Sequence, residues 1–306
     1  MVNEKLYGSI EAGGTKFVCS VAGGPEQIVE EVRFPTTTPE ETLGKAIHFF
    51  QPYVQSGQVR TLGVGCFGPL DLDPQSAAYG SITATPKPGW SNTNVRGNLQ
   101  HGLHVAIAFD MDVNAAAIGE ATWGASRGID PSLYITIGTG IGGGYLINGK
   151  PLIGMLNLEM GHVRIPHNRE LDPFIGSCPF HGDCFEGLAS GPAIEKRLGT
   201  AGAIVPEADA FWDLEADYIA SALMNYILTL SPKRIILGGG VMQREFLFAK
   251  VRKRVRDLLN GYVANEAIQK DIDRYIVPPA LGNQAGSLGG IAMAMQLEDM
   301  HSDPRV

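Results

Sequence analysis

Ile10-Glu11-Ala12-Gly13-Gly14-Thr15-Lys16 lies between two short runs rich in β-formers, Leu6 to Ile10 and Phe17 to Val21, and reads as strand, glycine turn, strand. The same unit returns in Leu133 to Ile137, then Gly138-Thr139-Gly140-Ile141-Gly142-Gly143-Gly144, then Tyr145 to Ile147 and an Asn148-Gly149 turn. One polar Gly-Thr turn could be a plain hairpin. Two of them, each offering backbone N–H groups and a hydroxyl (Thr15, Thr139), point to a duplicated unit for phosphate oxygens. The better-known phosphate loops do not fit. Residues 13 to 16 lead into a strand, whereas a P-loop needs Gly-Lys-Ser/Thr at a helix start. Gly138-x-Gly140-x-x-Gly143 matches the dinucleotide fingerprint in letters only, because a strand and an Asn-Gly hairpin follow instead of a helix.

Between the two units, Val105 to Phe109 reads as a buried strand that runs into Asp110-Met111-Asp112-Val113-Asn114 and the helix former Ala115 to Glu120. Carboxylates at the carboxyl end of a strand sit where open α/β sheets bind substrates. The simpler local reading is helix capping by Asp112 or Asn114. A calcium loop is excluded, since its glycine and glutamate positions hold Ala115 and Ala121. A third glycine cluster, Gly238-Gly239-Gly240-Val241-Met242, follows the strand-like Lys233 to Leu237, with a helix predicted from about Gln243. A helix start of this kind suits an anion or an adenosine lying over small residues. Gly282, Gly286, Gly289 and Gly290 lead into a closing helix over Ile291 to Leu297 and predict a close approach of another segment. Phosphoryl transfer from ATP to an alcohol needs a carboxylate to take the hydroxyl proton, donors for the phosphates, and Mg²⁺ to offset charge. Asp112 is the candidate base. Glu11 and Asp110 could orient Mg²⁺ waters or Lys16, or could simply satisfy backbone groups.

Cys178-Pro179-Phe180-His181-Gly182-Asp183-Cys184 places two of the 4 cysteines and a histidine in one turn-rich segment. With His162, from Glu159-Met160-Gly161-His162, they make a four-ligand set suited to tetrahedral zinc. A Cys178–Cys184 disulfide is the competing reading, disfavoured because nothing else points to an oxidising compartment. Cys19 and Cys66 read as small buried apolar residues. The 306 residues carry a formal charge of -8, and this acidic balance argues against a nucleic-acid partner. No secretory signal opens the sequence and no apolar run approaches the ~18 residues of a membrane span, so a cytoplasmic location is expected.

The duplicated β-glycine-β unit, the strand-Asp-helix, Glu159-x-Gly-His162, the Cys/His loop and Gly238 to Met242 together resemble the ROK sugar kinases over nearly the whole chain. Ile10 to Lys16, Thr85-Pro86-Lys87-Pro88-Gly89-Trp90 and Cys178 to Pro192 are similar to bacterial ROK fructokinases. The resemblance implies an α/β, actin-like (ribonuclease-H-like) ATPase fold with two lobes, each built on a mixed sheet with flanking helices. The small lobe is placed at 1–114 plus a C-terminal helix at about 290–306, and the large lobe, with the zinc loop, at 115–289. The resemblance further implies that Asp112 deprotonates the sugar hydroxyl while Gly13, Gly14, Thr15, Lys16 and Thr139 face the ATP phosphates. Pro192 and Gly238, Gly239, Gly240, Val241 and Met242 would flank the nucleotide. Gly68, Asp112, Glu159, His162 and Glu186 would meet the sugar. His162, Cys178, His181 and Cys184 would hold a structural Zn²⁺, and Mg²⁺ would come with ATP. One departure bears on specificity: glucokinases of the family usually carry Asn before the catalytic Asp, and this chain has Met111. Fructose is therefore the expected substrate, with a broader hexose range or a catalytically silent sugar sensor as alternatives. A homodimer is expected from the family.

Overall fold

A computed structural model describes residues 5–302, so residues 1–4 of the expected small lobe and 303–306 of the expected closing helix lie outside the described residues. The chain forms two compact units, Met1–Gly128 with Lys150–Asn157 and Ala280–Val306, and Ile129–Gly149 with Leu158–Pro279.

The first unit is built on strands β1 (Leu6–Ala12), β2 (Lys16–Gly24), β3 (Gln27–Pro35), β4 (Val59–Cys66) and β5 (Ala106–Met111), in the order β3-β2-β1-β4-β5. β1 pairs antiparallel with β2 and parallel with β4, and β4 pairs parallel with β5. The central strands are buried almost throughout, as strands covered on both faces must be. β3 is mostly exposed and carries Glu30, Glu31 and Arg33, charges that suit a sheet edge. Helix α1 (Pro39–Gln55) starts cleanly: the Thr38 hydroxyl accepts from Glu41 N, Pro39 opens the first turn, and Glu40 and Glu41 meet its positive end. Helix α2 (Val95–Leu103) precedes β5, and α3 (Asp112–Thr122) follows it without a loop.

Helix α3 is buried from Val113 to Glu120, which its Ala115-Ala116-Ala117 run and Gly119 make possible. Against it lies the closing helix α8 (Ala285–Ser302), which begins at Ala285 rather than at Ile291. A Cβ on Gly289 would collide with the Ala115 carbonyl, and one on Gly290 would meet the Gly63 carbonyl oxygen at 2.9 Å. The late glycine series is thus a packing device that seats one helix on α3 and on β4.

The second unit repeats the plan with β6 (Ser132–Ile137), β7 (Ile141–Ile147), β8 (Arg234–Gly238) and β9 (Ile276–Val277), ordered β7-β6-β8-β9. β6 pairs antiparallel with β7 and parallel with β8, which pairs parallel with β9. The turn ends at Gly140, so Gly142, Gly143 and Gly144, expected in the loop, lie inside β7. Gly143 faces Met160 and Ile135, where no side chain fits. Short helices α4 (Phe185–Ala189) and α5 (Gly191–Leu198) follow the Cys/His loop, and the long α6 (Phe211–Leu230) and α7 (Glu245–Leu259) cover the sheet. Helix α7 buries Leu247, Phe248, Val251, Val255 and Leu259 at helical spacing, with its Lys and Arg residues on the other face. It begins two residues later than expected, after a tight turn at Val241–Gln243. No described helix is long and apolar enough to cross a membrane.

Candidate active site

In the first unit, β5 carries Asp110 and Met111 as its last residues, and Asp112 opens α3. Asp112 is half-buried, and its Oδ1 accepts the Val113 N–H at 2.8 Å, which fixes the plane of the carboxylate. Neither Asp112 nor Asn114 caps the helix; Met111 holds that position without a side-chain bond. Asn114 is buried instead, donating to Asp110 Oδ1 at 2.6 Å and to Asn157 Oδ1 at 2.9 Å. Asp110 also accepts the Met111 N–H at 2.7 Å, and burial raises its carboxyl above the usual range despite these bonds. Asp110 is therefore engaged internally. Sequence reasoning missed Asn157, whose only signal is an amide set within the apolar run before Glu159.

Met111 is buried against Gly68, where a Cβ would come 2.8 Å from the methionine methyl. Position 111 thus gives the unit an apolar contact in place of an amide. Gly68 itself is half-buried just beyond β4 and adjoins Pro69 through a cis peptide.

The first glycine turn closes on itself. Gly13 N donates to Lys16 O at 3.0 Å, and Thr36 supports it, with Oγ1 donating to Gly13 O at 2.6 Å and N to Thr15 O at 2.9 Å. Thr15 and Lys16 are exposed at the tip, as phosphate contacts require. Glu11, at the base, has its carboxyl raised by burial against the pull of Lys16 and Arg33, and it accepts a backbone N–H from Ser287. Behind the turn, the fully buried Trp90 packs on Phe17 and Phe67 and donates from Nε1 to Thr37 O at 2.7 Å, which accounts for the Thr85 to Trp90 string.

In the second unit, Thr139 is exposed at the tip of the other turn, and Gly138 N donates to Gly140 O at 2.9 Å. This turn is held from outside. Glu186 Oε2 accepts the Ile141 N–H at 2.9 Å, and Gly191 N donates to Gly138 O at 2.8 Å. Pro192 follows in the first turn of α5. Gly239, at φ +88°, brings the third glycine cluster against the Ile137 backbone, where a side chain could not enter. Gly240 is exposed, while the Val241 and Met242 side chains belong to the core.

Glu159 precedes the Met160–His162 turn, whose His162 N donates to Glu159 O at 3.0 Å. Desolvation raises the Glu159 carboxyl, His162 opposes the rise, and Glu186 adds to it. Glu159, His162 and Glu186 are thus near neighbours. Gly161 packs on the Ile141 carbonyl, so this turn rests on the start of β7.

The ligand atoms of His162, Cys178, His181 and Cys184 all lie within 4.8 Å of one another, and all four cysteines of the chain are free thiols. Cys178 Sγ is 3.7 Å from both His162 Nδ1 and His181 Nδ1, and Cys184 Sγ is 3.6 Å from His162 Nδ1. Tetrahedral zinc, with Zn–S of about 2.3 Å and Zn–N of about 2.0 Å, places sulfur and nitrogen about 3.5 Å apart. The four side chains fit that ion.

The ROK family model matches residues 7–297. A fructokinase of Lactococcus lactis subsp. cremoris is 44% identical over 292 residues, covering 95% of this chain and 97% of its own. A fructokinase of Streptococcus mutans is 42% identical over 296 residues, covering 96% and 98%. Among solved structures, the ROK hexokinase of Thermus thermophilus superimposes with a TM-score of 0.76 at 25% identity, covering 96% of this chain and 99% of its own. The fold is the expected actin-like one, with a mixed sheet and flanking helices in each unit. By the length of these matches and the motifs that carry them, this chain belongs to the ROK family.

Proposed function

We propose that this protein transfers the γ-phosphoryl group of ATP to a hexose, most of all D-fructose, giving fructose 6-phosphate and ADP. The observation that carries the reading is Asp112, a carboxylate fixed by the Val113 N–H where β5 ends and α3 begins. Near-full-length similarity to fructokinases supports the substrate. The sugar O6–H bond loses its proton to the Asp112 carboxylate as O6 bonds to the γ-phosphorus and the bond to the ADP oxygen breaks. Gly13, Gly14, Thr15, Lys16 and Thr139 would receive the phosphates, with Pro192 and Gly238 to Met242 beside the nucleotide. Only the backbone of Val241 and Met242 suits that role, because their side chains are buried.

Gly68, Glu159, His162 and Glu186 would recognise the sugar. Mg²⁺ supplies charge compensation for ATP when bound. Asp110, already engaged with Asn114 and Met111, suits a supporting role better than direct ligation. Zn²⁺ would bind His162, Cys178, His181 and Cys184 as a structural ion, leaving His162 one ring nitrogen for a hydroxyl. A homodimer in the cytoplasm belongs to the same reading. ADP release measured with a panel of fructose, mannose and glucose tests it: the largest kcat/KM is expected for fructose, and no sugar-dependent ADP release with any of them would sink the proposal.

A further inference from the structure

We propose that Asp183, His167, Asp172 and Arg197 form a positioning frame that holds the His162, Cys178, His181 and Cys184 side chains in place apart from any ion. The inference rests on the reading of those four side chains as a zinc site. Asp183 lies between the ligands His181 and Cys184, so the direction of its side chain sets the path of the chain through both. Its N–H donates to His181 O at 2.9 Å. Its carboxylate pairs with Arg164, accepts from Arg169 Nη2 at 2.8 Å, and lies 3.2 Å from His167 Nδ1. The other ring nitrogen of His167 lies 3.0 Å from the Asp172 carbonyl oxygen.

From Asp172 the chain of contacts turns back. Its carboxylate accepts from Arg197 Nε at 3.2 Å, Arg197 Nη2 at 3.1 Å and the Tyr218 hydroxyl at 2.6 Å. Arg197 Nη1 donates to Leu188 O at 2.9 Å, on the helix that begins one residue after Cys184. The circuit therefore leaves the ligand loop at Asp183 and returns at Leu188, in the helix that directly follows the loop. The His167, Asp172 and Arg197 side chains are only 5%, 4% and 8% exposed, so water competes little for bonds that involve charge. The Arg197 guanidinium also stacks 4.5 Å over the Phe174 ring. On the backbone, Phe185 N donates to Val163 O at 2.9 Å, which ties the end of the loop to the residue after His162. A loop organised by its ion alone would need none of this.

The test uses the full chain purified with zinc, and reads both zinc per chain and the rate at which 4-(2-pyridylazo)resorcinol strips the ion from folded protein. Asp183→Ala and His167→Ala should release zinc about 10- to 100-fold faster than wild type. Asp183→Asn, which keeps an acceptor of the same reach, should recover most of the loss. Arg169→Ala removes a partner whose side chain is 60% exposed, so it leaves the fold intact and should speed release to a smaller degree. Zinc-loaded wild type and Arg169→Ala releasing at one rate, together with an unchanged rate in Asp183→Ala or, should that variant not fold, in His167→Ala, would overturn the frame. Absence of zinc from wild type would instead remove the metal reading beneath it.

Discussion

The two glycine turns share a sequence pattern and a strand arrangement, yet they are held by different means. The Gly13–Lys16 turn is closed by its own backbone and by Thr36, a residue of its own sheet edge. The Gly138–Gly140 turn takes its support from Glu186 and Gly191, which come from the helices that follow the Cys/His loop. A duplicated local unit has thus been kept in geometry while its supports diverged. In the second unit, the loop that gathers metal-type ligands leads directly into Glu186 and Gly191, the residues that brace the glycine turn.

The largest expected effect lies in the first unit. Asp112→Ala should lower kcat by about 10² to 10⁴ with fructose while leaving the KM for ATP within a few-fold, measured by coupled ADP release. Retention of most of the activity would remove Asp112 as the base. Next, Cys178→Ala/Cys184→Ala should bind no zinc and raise the fructose KM by about 10- to 100-fold. The KM for ATP should rise with it, because the second turn hangs on the same segment; an unchanged ATP KM would dissolve the contrast drawn between the turns.

A smaller pair of changes sharpens that contrast. Glu186→Gln replaces a charge-assisted bond to Ile141 N with a neutral one, and Thr36→Val removes the hydroxyl bond to Gly13 O, each loss being about 1 kcal/mol or about 5-fold in the ATP KM. Only in a zinc-free background should the Glu186 effect shrink. Last, Glu215 on α6 is fully buried, neither of its carboxylate oxygens has a hydrogen bond among the described residues, and burial holds its carboxyl well above 4.5 against the pull of Arg197. A raised folded value means stability that is full below about the unfolded value and lost as pH climbs towards the folded one. Urea unfolding at pH 5 and pH 8 should therefore show a smaller fall in stability for Glu215→Gln than for wild type, and equal falls would assign the pH dependence elsewhere.

Much of the fold was legible because its signals are local. The alternation of β-formers with Gly-Thr turns gives both hairpins, and Asp110 to Asn114 marks the passage from β5 to α3. The clustering of His162, Cys178, His181 and Cys184 was legible because thiol and imidazole are rare and have few other uses in close company. What stayed hidden depends on partners distant in sequence. Nothing near Asn114 shows that Asn157 will meet it, and nothing near Glu186 shows that its carboxylate will reach Ile141 N. The extent of strand β7 was misread because Gly142 to Gly144 look like a loop, whereas close packing by Met160 and Ile135 is what requires them.

Transfer of phosphate to a particular sugar oxygen is read most directly by ³¹P NMR of the products formed from ATP and D-fructose by the purified chain. Fructose 6-phosphate and ADP in equal amounts are expected. Free phosphate with no sugar phosphate, or no turnover of ATP at all, would contradict such transfer.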